Sequence, residues 1–72
     1  MGYNISMKFS ERLKELRQER GLSQMELSKQ TGLSQSAIAK WEKDKTDPTS
    51  ANLIVLSRFF DESVDYLLGL TD

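Results

Sequence analysis

The sequence contains no cysteine and no histidine. Without cysteine there is no disulfide framework, so a fold this small must be held by apolar packing alone. The loss of histidine as well removes the usual zinc ligands, thiol nucleophiles and imidazole bases. No metal, cofactor or catalytic group is therefore expected, and the chain is not read as an enzyme. No apolar run approaches the ~18 residues that a membrane span needs, and no secretory h-region opens the chain. A cytoplasmic protein away from membranes is the expectation. Positive charge is not in excess either: ten Lys+Arg against eleven Asp+Glu leave a net charge of −1 and a pI near 5.4. That balance lacks the basic excess expected of a nucleic-acid binder. What is present is 72 residues at 8.2 kDa, 38% hydrophobic and 29% charged, the composition of one small globular domain over residues 1–72.

The few glycines and the single proline punctuate the chain. Gly21, Gly32, Pro48 and Gly69 separate stretches with helical apolar spacing, and nothing alternates with the period of two that a strand requires. Phe9, Leu13 and Leu16 form one stripe of a helix ending at Arg20, with Gly21 just past its end. Ser23 and Glu26 read as a capping box opening a second short helix, with Met25 and Leu27 apolar, that stops near Gly32. Ser34 caps a third helix carrying Ile38 and Trp41. Pro48, Thr49 and Ser50 announce a fourth, which bears Leu53, Ile54, Val55, Leu56, Phe59 and Phe60. Ser63 caps a last short helix with Val64, Leu67 and Leu68. The expected fold class is all-α, five short helices on one core.

The informative stretch runs from Leu22 to Pro48. Two serine-capped helices are joined by the three-residue turn Thr31-Gly32-Leu33. Closely crossing helices need a small residue on the inner face, supplied by Ser28. The sharp turn needs a residue at ease with positive φ, supplied by Gly32. Leu27, Leu33, Ile38 and Trp41 clamp the crossing from both sides. On a wheel of ~100° per residue with Ile38 at zero, Trp41 and Ala37 fall on the core side. Ser36, Ala39, Lys40 and Lys43 fall on the outer side, and Gln35 lies in the exposed first turn. Between Leu33 and Trp41 there is no acidic residue. A face of this kind suits a major groove, where Gln pairs with adenine, Lys with guanine and Ala with a thymine methyl. Ordinary solvated surface is the competing description of the same residues.

The segments Gly21–Leu27 and Gly32–Ser34, with Ile38, Trp41-Glu42, Pro48 and Ser63–Gly69, resemble the Cro/repressor-type (XRE) helix-turn-helix family. The likeness runs from about Phe9 to Gly69, with the helix-turn-helix at about residues 23–43. It implies a lambda-repressor-like DNA-binding domain, a compact five-helix bundle whose third helix reads double-stranded DNA. Gln35, Ser36 and Lys40 are then the expected base contacts, with Ala39 against a thymine methyl. Ser23, Gln24 and Ser34 at helix N-termini, Lys43 and Lys45 in the following loop, and Arg17 are the expected phosphate contacts. The resemblance also pairs Arg17 with Glu42, bridging helix one to the end of helix three. Two departures stand out: Asp44 occupies a position usually held by glycine, and Ser28 one where alanine is commoner. Asp44 and Asp47 would repel a nearby phosphate.

Helix one carries Glu11, Glu15 and Glu19 beside Arg12, Lys14 and Arg20, most simply a solvated face with i,i+4 pairs. Toward the C-terminus Phe60, Tyr66, Leu68 and Leu70 offer an apolar surface, the expected interface of a homodimer that would bind a two-fold-symmetric operator. The implied activity is sequence-specific DNA binding by a transcriptional regulator of the repressor kind, without a small-molecule effector domain. The alternative is a protein-interaction module, of antitoxin or anti-repressor type, docking through that C-terminal surface. Met1-Gly2 through Ser6 match a short myristoylation pattern, which chance often produces and which no polybasic anchor supports. Charge is unevenly placed. Residues 1–45 hold nine basic and six acidic side chains, or +3, and residues 46–72 hold one and five, or −4. The near-neutral total averages a mildly basic half with an acidic one, and so does not exclude nucleic acid.

Overall fold

Local hydrogen bonds fix where each helix begins and ends. The structure is a computed structural model and describes residues 8–71, so the myristoylation-like pattern at Met1–Ser6 lies outside the described residues. The helices are α1 (Phe9–Glu19), α2 (Gln24–Thr31), α3 (Gln35–Glu42), α4 (Ser50–Phe60) and α5 (Val64–Leu67), with no strand among the described residues. The side-chain oxygens of Ser23, Ser34, Thr49 and Ser63 each accept from a backbone N–H in the first turn, at 3.0, 2.9, 3.2 and 3.0 Å. At α2 the box closes, because the Glu26 carboxylate accepts from the Ser23 N–H at 2.8 Å.

Every helix ends on a residue in the left-handed region: Gly21, Gly32, Asp44, Asp61 and Gly69. Past α1, α3, α4 and α5 the next N–H reaches back to close the last turn: Leu22 to Arg17 O (3.1 Å), Lys45 to Lys40 O (2.9 Å), Glu62 to Ser57 O (3.0 Å) and Leu70 to Asp65 O (2.9 Å). Asp44, at φ 59°, therefore makes the turn expected of a glycine there. The tight turn between α2 and α3 is held by side chains as well. Ser28 donates its hydroxyl to the Leu33 carbonyl, and Thr31 donates to Leu27 O (2.7 Å) while accepting from the Leu33 N–H (3.2 Å).

The core is Leu13, Leu16, Leu27, Ile38, Trp41, Leu53, Leu56, Phe60 and Leu67, drawn from all five helices. Each such side chain contributes roughly 2 kcal/mol by leaving water. α1 packs on α3 and α5, α2 on α3 and α4, and α4 on α5. Trp41 is 3% exposed and meets Phe9 edge-on at 6.2 Å, so it is core rather than a stacking platform.

Three expectations are corrected. Arg12 is not on a solvated face: it is 6% exposed, and its guanidinium carbon lies 3.8 Å from the centre of the Tyr66 ring, a cation–π contact tying α1 to α5. The i,i+4 ion pairs of α1 do not form; the ion pairs among the described residues are Lys8–Asp44 and Arg17–Glu42. Phe60 is 4% exposed and belongs to the core, because Leu53, Leu56 and Phe60 share one stripe of α4. Phe60 is therefore removed from the surface available to a dimer partner. Tyr66 and Leu68 are half-buried against the core, and of the expected interface only Leu70, at 70%, stands clear.

Candidate nucleic-acid interface

The outward face of α3 is built by exclusion. Ile38 and Trp41 are drawn into the core, which turns Gln35, Ser36 and Lys40 to solvent with Ala39 half-buried beside them. Lys43 and Lys45 continue the exposed surface past the helix end. The Ser34 hydroxyl accepts from the Ala37 N–H at 2.9 Å, holding the first turn in which Gln35 and Ser36 lie. The one acid of the helix, Glu42, is turned inward with its side chain 4% exposed. No carboxylate of α3 therefore faces outward.

Glu42 is the centre of a network that joins three helices. Its Oε2 accepts from Arg17 Nε at 2.7 Å, and its Oε1 accepts from Arg17 Nη2 at 2.9 Å, a two-pronged pair. Arg17 Nη1 donates to the Leu22 carbonyl at 2.8 Å, fixing the chain just ahead of α2. This hydrogen bonding to Glu42 raises the Arg17 pKa still further above its ordinary value, so the guanidinium stays charged. The pairing of Arg17 with Glu42 is as expected. The capture of Gln24 was not foreseen: its Nε2 donates to Glu42 Oε1 at 3.0 Å. The wheel held the signal, since Glu42 lies four residues after Ile38, about 40° from the most buried position of α3.

Among the expected phosphate contacts, Ser23, Ser34, Lys43 and Lys45 are exposed, whereas Arg17 and Gln24 are half-buried and drawn toward Glu42. Ser23 is occupied as a cap. The Glu26 carboxyl that completes the box is held below the usual carboxylate range, first by the Ser23 backbone N–H and then by the Ser23 hydroxyl. In the loop after α3, Asp44 meets Lys8 at 3.2 Å, both exposed, while Asp47 is exposed. Among the described residues no group of acids, cysteines or histidines is arranged to hold a metal ion, and no helix is long and apolar enough to cross a membrane.

Comparison with known proteins agrees with this fold. The sequence model of the helix-turn-helix family matches residues 13–67. The chain is 36% identical over 64 residues to the uncharacterised HTH-type transcriptional regulator YobD of Bacillus subtilis, covering 89% of this chain and 57% of that protein. It is 40% identical over 58 residues to repressor protein C2 of Salmonella phage P22, covering 81% of this chain and 27% of the repressor. The HTH-type transcriptional activator BcrR of Enterococcus faecalis is 40% identical over 63 residues, with 88% and 31% covered. The chain thus spans between about a quarter and somewhat over half the length of these curated relatives. Among solved structures, the P22 c2 repressor in complex with a synthetic operator superposes with a TM-score of 0.80 at 36% identity, over 88% of this chain and 96% of that one. A transcriptional regulator from Listeria innocua gives a TM-score of 0.80 at 28% identity, over 90% and 61%.

Proposed function

The chain belongs to the helix-turn-helix family, and from that premise we propose that it binds double-stranded DNA sequence-specifically and regulates transcription. α3 enters the major groove. Gln35, Ser36 and Lys40 meet base edges and Ala39 lies against a thymine methyl. The N-terminus of α2, with Ser23 and Gln24, meets the phosphate backbone, as do Ser34, Lys43 and Lys45. Arg17 acts there mainly by orienting α2 through Leu22 and Glu42. Two copies bind a two-fold-symmetric operator, placing their α3 helices about one DNA turn, ~34 Å, apart. The protein works in the cytoplasm and blocks promoter DNA by occupying it, as a repressor.

The observation that carries this reading is the polarity of α3. The exposed face of α3 presents Gln35, Ser36 and Lys40 and no carboxylate, because the acid that α3 has is buried under Arg17 and Gln24. The docking-module alternative is less favoured, since most of the C-terminal apolar side chains on which it relied are packed against the core. The experiment is selection from a random duplex pool followed by titration at several salt concentrations. A two-fold-symmetric motif with affinity falling steeply as salt rises is expected. Failure to retain any duplex at low salt would refute the reading.

A further inference from the structure

Gln24 is the first residue of α2, and its side chain is half-buried. A glutamine in that place would ordinarily sample many rotamers, and a ligand binding it would have to order it. Here its Nε2 donates to Glu42 Oε1 at 3.0 Å, and that same oxygen accepts from Arg17 Nη2 at 2.9 Å. Glu42 is itself enclosed: its side chain is 4% exposed and its other oxygen takes Arg17 Nε at 2.7 Å. Arg17 in turn holds Leu22, which leads into the Ser23 cap.

We propose that Glu42 is a positioning residue for DNA binding, which holds the Gln24 carboxamide in one orientation before DNA arrives. A carboxamide nitrogen has two hydrogens. With one committed to Glu42, the other is left as a donor of fixed direction at the start of α2. There the backbone N–H groups of the first turn and the helix dipole also favour an anion. A phosphate oxygen then meets a donor that is already ordered, and binding does not have to freeze the side chain. An acid buried at the end of the base-reading helix thereby sets the geometry of a backbone contact made by the preceding helix.

This rests on the DNA-binding reading above, and the test separates the two. The side-chain order parameter of Gln24 Nε2 is measured by NMR in the free full-length chain and again with a selected duplex. A value close to that of rigid backbone, about 0.85, is expected in both states. A value below about 0.6 in the free protein overturns the proposal. The second arm is a double-mutant cycle on duplex affinity with Gln24→Ala, Glu42→Gln and the pair. Gln24→Ala is expected to weaken binding about five- to tenfold with its unfolding midpoint unchanged. Adding it to Glu42→Gln is expected to cost little more. If the two losses multiply, or if Gln24→Ala stays within about twofold of the native chain, Glu42 does not act through Gln24. Should Glu42→Gln fail to fold, Gln24→Ala and the order parameter still decide. A native chain that retains no duplex refutes the DNA-binding reading itself.

Discussion

Arg17 and Lys40 are both cations beside the proposed interface, but their surroundings give them different work. Lys40 is exposed and makes no ion pair among the described residues, so its charge is available to a ligand. Arg17 is committed: three of its N–H groups are spent on Glu42 and Leu22, with its side chain 12% exposed. Arg17→Ala leaves Glu42 buried without its cation, and a loss of about 3 kcal/mol in urea unfolding is expected. Its effect on DNA affinity should then be common to all sequences, because what is lost is the orientation of α2. Glu26 supplies a pH test. Its carboxyl is held below the usual range by the Ser23 N–H and hydroxyl, so it takes up its proton at lower pH when folded than when unfolded. The stabilisation is therefore present above the ordinary carboxylate range and disappears as pH falls through and below it. Thermal unfolding of Glu26→Gln across that range should show a flatter acid limb than the native chain.

At the scale of the element, what specifies each helix is local. Caps at Ser23, Ser34, Thr49 and Ser63 act over three residues, and the turn past each helix closes over four or five. That is why the caps and the ends at Gly21, Gly32 and Gly69 were legible in the sequence, whereas the left-handed ends at Asp44 and Asp61 had no glycine to announce them. What was not legible joins distant segments. Nothing near Arg12 in sequence announces the Tyr66 ring that covers it, and the Gln24–Glu42 bond spans eighteen positions. Phe60 was within reach, because it continues the Leu53–Leu56 stripe, but the number of apolar residues near the C-terminus suggested a surplus, of which the core takes Phe60 fully and Tyr66 and Leu68 in part. The outward face of α3, the proposed recognition face, was legible because it follows from the burial of Ile38 and Trp41 alone. One element-scale prediction follows from the end of α4, where Asp61 sits at φ 55° and ψ 46°. Glycine meets no steric cost there, and Asp61→Gly should stabilise the fold by about 0.5–1 kcal/mol, read as a higher thermal midpoint.

Across the whole molecule, charge is unevenly placed. The basic side chains near α3 belong to a first half of +3; in the second half, which sums to −4 in sequence, Asp65 lies in α5 and Asp47, Asp61 and Glu62 in the loops flanking α4. With so few cations, affinity for arbitrary DNA should be weak, and specific binding must gain from a second copy. Leu70, 70% exposed, is the apolar side chain at the C-terminal end best placed for that contact. Leu70→Glu should leave unfolding unchanged, yet weaken binding to a duplex with two half-sites far more than to one with a single half-site. The most direct test of α3 as the reading helix is competition between a selected duplex and its scrambled counterpart at ~150 mM salt, for the native chain and Lys40→Ala. A preference of about a thousandfold or more is expected for the native chain, falling at least tenfold in the variant with the fold intact. A native preference near one, or a preference that Lys40→Ala leaves untouched, would contradict the assignment of α3 to base recognition.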